Sequence, residues 1–143
     1  MKEVAKYSGC FVCGDKNEHG LQAKFYFDGS RATTRVTAKE MFEGYRNIYH
    51  GGIISTLLDE VMIKAILAQA IFAVTAEMTV RYHAPVPTGA ELTFTGEVTN
   101  TRGRVYHTTG QAVGADGTVY ASAEGKYVRA KEALKEKLLA SLD

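Results

Sequence analysis

Apolar and polar residues alternate with period two over residues 74–82. Val74, Ala76, Met78, Val80 and Tyr82 are apolar, and Thr75, Glu77, Thr79 and Arg81 are polar. Residues 91–99 alternate again, with Leu92, Phe94 and Val98 set against Glu91, Thr93, Thr95, Glu97 and Thr99. Alternation of this kind places one face of a strand in a core and the other in water. Two further strands are predicted at about 104–114 and 118–128, joined by the turn Asp116-Gly117, and two more at about 23–27 and 31–37, joined by Asp28-Gly29. The period changes between residue 52 and about residue 70. There Ile53, Ile54, Leu57, Leu58, Val61, Met62, Ala65, Ile66 and Leu67 cover most of a helix and leave a narrow polar stripe. Such a helix must be surrounded by protein. Residues 130–142 read as a short amphipathic helix. The order is two strands, a long apolar helix, four strands and a short helix. Hairpin-length connections favour an antiparallel sheet of about six strands, and wrapping it around the helix gives an α+β architecture.

Length changes this picture little: 143 residues make one domain, taken as 1–143. Apolar residues at 45% and charged residues at 23% exclude a disordered or fibrous chain. The formal net charge of +1 offers nothing to nucleic acid or to an anionic membrane surface. The apolar runs are too broken to span a bilayer, and Met1–Cys10 holds no apolar leader segment, so a cytoplasmic protein with reduced thiols is expected. The tail's Glu132 and Glu136 dilute its basic charge, which favours packing on the body over membrane contact.

The chemistry concentrates at the start of the long helix. Tyr49-His50-Gly51-Gly52 places two glycines where backbone N–H groups are unpaired and the helix dipole is positive. That end suits a carbonyl oxygen becoming an oxyanion, or the glycines simply fit a tight junction. Glu60 precedes Lys64 by four residues, an ordinary ion-pair spacing. Asp59 has no such cation; its neighbours at three and four residues are Ser55, Thr56, Met62 and Ile63. A lone carboxylate in an apolar helix is exposed, hydrogen-bonded to Ser55, or used as a base or nucleophile. Gly51 and Asp59 lie about 12 Å apart along one helix axis, too far to meet one substrate carbon. A catalytic reading therefore requires two antiparallel copies of the helix in a symmetric dimer. Cys10-x-x-Cys13 lacks the second cysteine pair of a structural zinc site, so no metal site is expected. His83 and His107 sit in strand patterns and read as structural or exposed. Arg102-Gly103-Arg104 is a basic turn, a solvated tip or a phosphate contact.

The run His50-Gly51-Gly52-Ile53-Ile54-Ser55-Thr56-Leu57-Leu58-Asp59-Glu60 resembles the signature helix of the hotdog-fold thioesterases, specifically the phenylacetyl-CoA type of acyl-CoA hydrolase. Phe72–Met78 resembles the strand that follows that helix, and Ala84-Pro85-Val86-Pro87 with Gly89 its turn. Cys10-Phe11-Val12-Cys13-Gly14 with Asn17 and Gly20-Leu21 is similar to an N-terminal signature of one branch. The resemblance covers roughly residues 8–129.

It implies an antiparallel sheet wrapped on the helix and a homodimer, or a tetramer built from two such dimers. It implies hydrolysis of an acyl-CoA between protomers, with no cofactor. Gly51 N–H would hold the thioester oxygen, and Asp59 of the other chain would activate water or attack. Thr75 would position the water, and His50 would shape the loop. Gly52, Asn47, Tyr82 and the run holding Arg102, Gly103, Arg104, Val105 and Tyr106 would bind substrate. Many relatives place an asparagine six residues before the motif's histidine, where this chain has Gly44. Strict alternation also puts Thr75 on the face of Glu77, away from the helix, unless a bulge intervenes. Ile54, Leu57, Leu58, Met62 and Phe72 would line an apolar tunnel. Two other functions share the architecture: an acyl-CoA-binding sensor without catalysis, and a hydroxyacyl-thioester dehydratase, whose proline-rich loop is absent here.

Overall fold

The computed structural model describes residues 1–142; Asp143, the last residue of the predicted domain, lies outside them. The elements in chain order are β1 (Lys2–Glu3), β2 (Tyr26–Phe27), β3 (Arg31–Thr37), a 3-10 turn (Glu40–Phe42), α1 (Gly51–Leu67), β4 (Ala73–Tyr82), β5 (Glu91–Arg102), β6 (Val105–Gly114), β7 (Val119–Arg129) and α2 (Glu132–Ala140). The strands form one seven-stranded sheet in the order β1-β2-β3-β5-β6-β7-β4. Every pairing is antiparallel.

The predicted frame is present, with three differences. A seventh strand, β1, pairs with β2 through only two residues. The strand predicted over residues 23–27 shrinks to Tyr26–Phe27, because Ala23 N–H donates to the Val12 carbonyl and the Phe25 carbonyl accepts from Val4 N–H. Those backbone groups are satisfied by the N-terminal coil before a ladder can form. The long helix ends at Leu67 rather than near residue 70, and Ala70 takes a left-handed conformation just beyond it (φ 62°).

The helix α1 is buried on most sides, as its composition requires. Leu57, Leu58, Val61, Met62, Ala65 and Ile66 are fully enclosed. The sheet makes room for it by omitting side chains. Gly96 of β5 pairs with Gly110 of β6. A Cβ at Gly96 would stand 2.8 Å from the Val61 carbonyl oxygen, and one at Gly110 would stand 3.1 Å from the Met62 side chain. Helix backbone and sheet therefore meet almost directly. Leu57, Leu58 and Met62, read from sequence as tunnel residues, belong to this core instead.

The strand β4 ends the sheet. It pairs with β7 along one side only, so its other side is an open ladder of ten residues. Val74 and Tyr82, on the face expected to be buried, are 38% and 52% exposed. The pairing slips between Thr75 and Glu77, which is a β-bulge at Ala76. Beyond it Met78 and Val80 return to the core side, where they are half-buried. Among the described residues no helix is long and apolar enough to cross a membrane.

Candidate functional site

The start of α1 is pinned from three sides. Tyr49 is buried, and its N–H donates to the Val86 carbonyl at 2.8 Å. The N–H of His50 donates to the Phe42 carbonyl at 2.9 Å, and Ile48 bridges to Pro87. The loop carrying His50 is thus clamped to the Pro85–Pro87 turn, which explains why both motifs occur together. His50 is the N-cap: its Nδ1 accepts from Gly52 N–H at 2.8 Å. Gly52, read as a substrate contact, therefore has its amide already engaged. Gly51 N–H has no acceptor among the described residues. It is the free donor at the positive end of the helix dipole.

Tyr82 closes over this end. Its hydroxyl donates to the Gly51 carbonyl at 2.9 Å and hydrogen-bonds the Ser55 Oγ. A groove of about 890 Å3 opens here, bordered by Tyr45, His50, Gly51, Ile54, Tyr82 and Pro85. Gly44 serves the cap, because a Cβ there would stand 3.2 Å from the His50 ring. Asn47 does not face the groove. It is exposed in a left-handed conformation (φ 64°), its N–H donating to Glu43 and its carbonyl accepting from Thr88.

Asp59 sits at the other end of the arrangement. Its Oδ1 accepts from Thr75 Oγ1 at 2.9 Å and from the Tyr127 hydroxyl at 2.9 Å. The same hydroxyl lies 3.1 Å from the Asp59 carbonyl oxygen. No Ser55 bond is made. Both side-chain bonds land on one oxygen, so Oδ2 is left without a partner among the described residues. The bulge at Ala76 turns Thr75 toward α1 against strict alternation. Burial, followed by the charge of Asp59, pushes the Tyr127 phenol far up, so it stays a donor.

Tyr127 is the site residue that the sequence reading misses. The signal available is its position on β7: the inward residues Ala121, Ala123 and Gly125 are small, and Tyr127 is the one large side chain of that row. Tyr106 pairs with Tyr127, which in turn pairs with Thr75, so the β5–β6 hairpin shares a sheet row with the two residues that hold Asp59. Arg102 and Arg104 are exposed at its tip, Gly103 takes φ 57°, Val105 is half-buried and Tyr106 is buried. Arg104 donates to the Arg129 carbonyl at 2.6 Å.

The Glu60–Lys64 pair exists at 3.7 Å, but it is not a solvated one: the Lys64 side chain is 1% exposed. Lys64 also donates to the Ala5 carbonyl at 2.6 Å and to the Cys13 Sγ at 3.4 Å. Burial is the main cause that pushes the Glu60 carboxyl up to about 7. His83 is exposed at the groove rim and within 2.8 Å of the Ser122 Oγ.

An antiparallel sheet wrapped on one buried helix, with a clamped glycine pair at its start and an oriented aspartate within it, is the hotdog architecture. The family model described as "Thioesterase superfamily" matches residues 47–121, more than half of the chain. The chain belongs to the thioesterase superfamily. A solved thioesterase superfamily protein is 30% identical with a TM-score of 0.79; the match covers 85% of this chain and 60% of that one. The chain thus spans about 60% of that relative's length. The PaaI protein of the E. coli phenylacetic acid degradation operon is 23% identical, with a TM-score of 0.68 over 71% of this chain and 73% of that one. A hypothetical thioesterase from Streptococcus pneumoniae, solved with coenzyme A, is 15% identical, with a TM-score of 0.72 over 76% and 85%. No curated protein matches.

Proposed function

We propose that this chain is an acyl-CoA thioesterase that hydrolyses the thioester to free acid and CoA in a site shared by two protomers. The observation that carries this reading is Asp59: a half-buried carboxylate with Oδ1 fixed by Thr75 and Tyr127 and Oδ2 free, in a protein whose free Gly51 amide lies elsewhere. The two groups are about 12 Å apart on one helix, so each needs the other from a second copy. The coenzyme A held by the pneumococcal relative supports the substrate class.

Gly51 N–H of one protomer donates a hydrogen bond to the thioester oxygen as negative charge develops there. Asp59 of the partner subunit takes the proton of a water molecule, and the water oxygen attacks the carbonyl carbon. Direct attack by the carboxylate is the other route. The tetrahedral intermediate collapses by expelling CoA as a thiolate, a leaving group good enough to need no metal. Thr75 holds the carboxylate and lies beside the water it activates. Tyr82 holds the helix end, and the exposed Arg102 offers a cation to the CoA phosphates. The apolar wall at Ile54 favours an apolar or aromatic acyl group.

Release of CoA thiol from a panel of short, long and aromatic acyl-CoAs tests the activity. Asp59→Asn is expected to lower kcat by ~10²–10⁴-fold, and Glu60→Gln far less. Tight binding with no hydrolysis across the panel would make the chain a sensor. Removal of water from a hydroxyacyl-CoA without thiol release would make it a dehydratase. Either result overturns the proposal.

A further inference from the structure

The N-terminal coil, residues 4–25, meets α1 at Glu60 and Lys64 with almost no regular structure of its own. Coils this long inside a compact fold are held by something specific. Here the Cys10–Gly14 turn, closed by Gly14 N–H donating to the Cys10 carbonyl at 2.8 Å, brings both cysteines against the helix. Gly14 is required by the turn, because a Cβ there would stand 2.3 Å from the Ser8 carbonyl oxygen. Glu60, on the turn of α1 facing this coil, points about 100° away from Asp59 and takes no part in the thioesterase reading. The sulfurs of Cys10 and Cys13 and a carboxylate oxygen of Glu60 lie within 4.8 Å of one another.

We propose that Cys10, Cys13 and Glu60 form a binding site for one thiophilic divalent cation of the zinc class. Three lines of evidence carry this. An ion about 2.0–2.3 Å from each ligand atom spans donors up to roughly 4.6 Å apart, so the trio closes on one ion with small side-chain movements. Each sulfur already has a hydrogen-bond donor of the kind that orients metal thiolates: Cys13 N–H to Cys10 Sγ at 3.3 Å, and Lys64 Nζ to Cys13 Sγ at 3.4 Å. Formal charge closes as well. Two thiolates and a carboxylate exceed a divalent cation by one negative charge, and the buried Lys64 ammonium supplies the missing positive one. The sequence argument against a metal counts cysteine pairs only; the third ligand comes from the helix. A cavity of about 220 Å3 lined by Cys10, Glu60, Lys64, Leu67, Ile71 and Phe72 leaves the fourth position open to water.

The ammonium is the group that competes with the cation, and besides Cys13 and Glu60 it has further anchors. It donates to the Ala5 carbonyl at 2.6 Å and faces the Tyr7 and Phe25 rings at 5.9 and 5.8 Å. The cation would tie the N-terminal coil to α1, a coupling of metal to fold.

The test is anaerobic titration of Co2+ into the whole, reduced, chelator-stripped protein. One Co2+ per chain is expected, with thiolate-to-cobalt charge-transfer bands and the intense visible bands of a four-coordinate ion. Zn2+ should bleach them. Glu60→Gln should weaken the affinity about tenfold or more, and the double variant Cys10→Ser, Cys13→Ser should abolish the bands. Asp59→Asn should bind Co2+ like the wild type, which separates this site from the thioesterase reading. Independently of any variant, Zn2+ should protect both thiols from alkylation. A pale six-coordinate spectrum, binding that survives loss of both cysteines, unprotected thiols, or a reduced chain that takes no Co2+ would each overturn the proposal.

Discussion

Asp59 shows how a carboxylate in an apolar helix is made tolerable. Its Oδ1 is tied to Thr75 and Tyr127, and Oδ2, without a partner among the described residues, is the oxygen that the proposed mechanism uses. Tyr127→Phe removes one of the two ties without changing shape. The expected result is a kcat lower by roughly ten- to a hundredfold with KM nearly unchanged, because in the proposed mechanism a loosened base misplaces the water. The stability cost should be only about 1 kcal/mol. Equal losses in binding and turnover would show that Tyr127 serves packing alone. The thiols make a separate prediction. The Cys13 thiol hydrogen-bonds Cys10, backbone N–H groups point at the same sulfur, and Lys64 adds its charge, so Cys10 is held well below the ordinary thiol value of 9.0 while Cys13 is pushed up. The thiolate is the reactive form, so alkylation of Cys10 in metal-free protein should stay fast below pH 9 and slow only as Cys10 gains its proton. Cys13 should lag throughout. Lys64→Met should move the Cys10 midpoint upward. At this scale Asp59, His50 and Gly51 are legible in the sequence, because each breaks a local pattern. Tyr127 and the burial of Lys64 are not. Both depend on contacts between distant segments, Tyr127 with α1 and Lys64 with Ala5 and Cys13.

Among the elements, the close approach of α1 to the sheet has a single-atom test. Gly96→Ala adds a Cβ 2.8 Å from the Val61 carbonyl oxygen, which is backbone and cannot rotate away. The helix or the strand must shift, at an expected cost of about 1–3 kcal/mol, measured by thermal or denaturant unfolding. An unchanged midpoint would mean that the helix rides higher on the sheet than described. Strand alternation and the helix's unbroken apolar surface are readable because they are local and periodic, and the antiparallel pairing of β5, β6 and β7 follows from short turns, whereas the β3–β5 and β4–β7 pairings join strands distant in the chain. The bulge at Ala76 is a different matter: it changes the face of Thr75 through the pairing with β7, and nothing within residues 73–82 marks it. The coil over residues 4–25 is equally hard to read, since its backbone bonds run within the coil rather than along a ladder.

For the whole molecule, the open edge of β4 and the separation of Gly51 from Asp59 make one statement. The edge is ten residues long with Val74 and Tyr82 uncovered, a surface on which a second copy can extend the sheet and bring its own α1 alongside. The proposed composite site then has a direct experiment. Gly51 occupies the first helical position, where proline is favoured and its missing N–H breaks no helix bond. His50 before it is already extended (φ −63°, ψ 128°), as a following proline demands. Gly51→Pro therefore deletes the free amide at the helix start with the helix intact, and kcat should fall ~10²–10³-fold. Asp59→Asn should be comparably impaired. Subunits of the two variants, exchanged at equal concentration, form mixed dimers in which one site carries both defects and the other carries neither. Activity should then return to about a quarter of wild type, since half of the dimers are mixed and each holds one intact site of two. If each chain carried its own complete site, mixing two impaired variants would restore nothing.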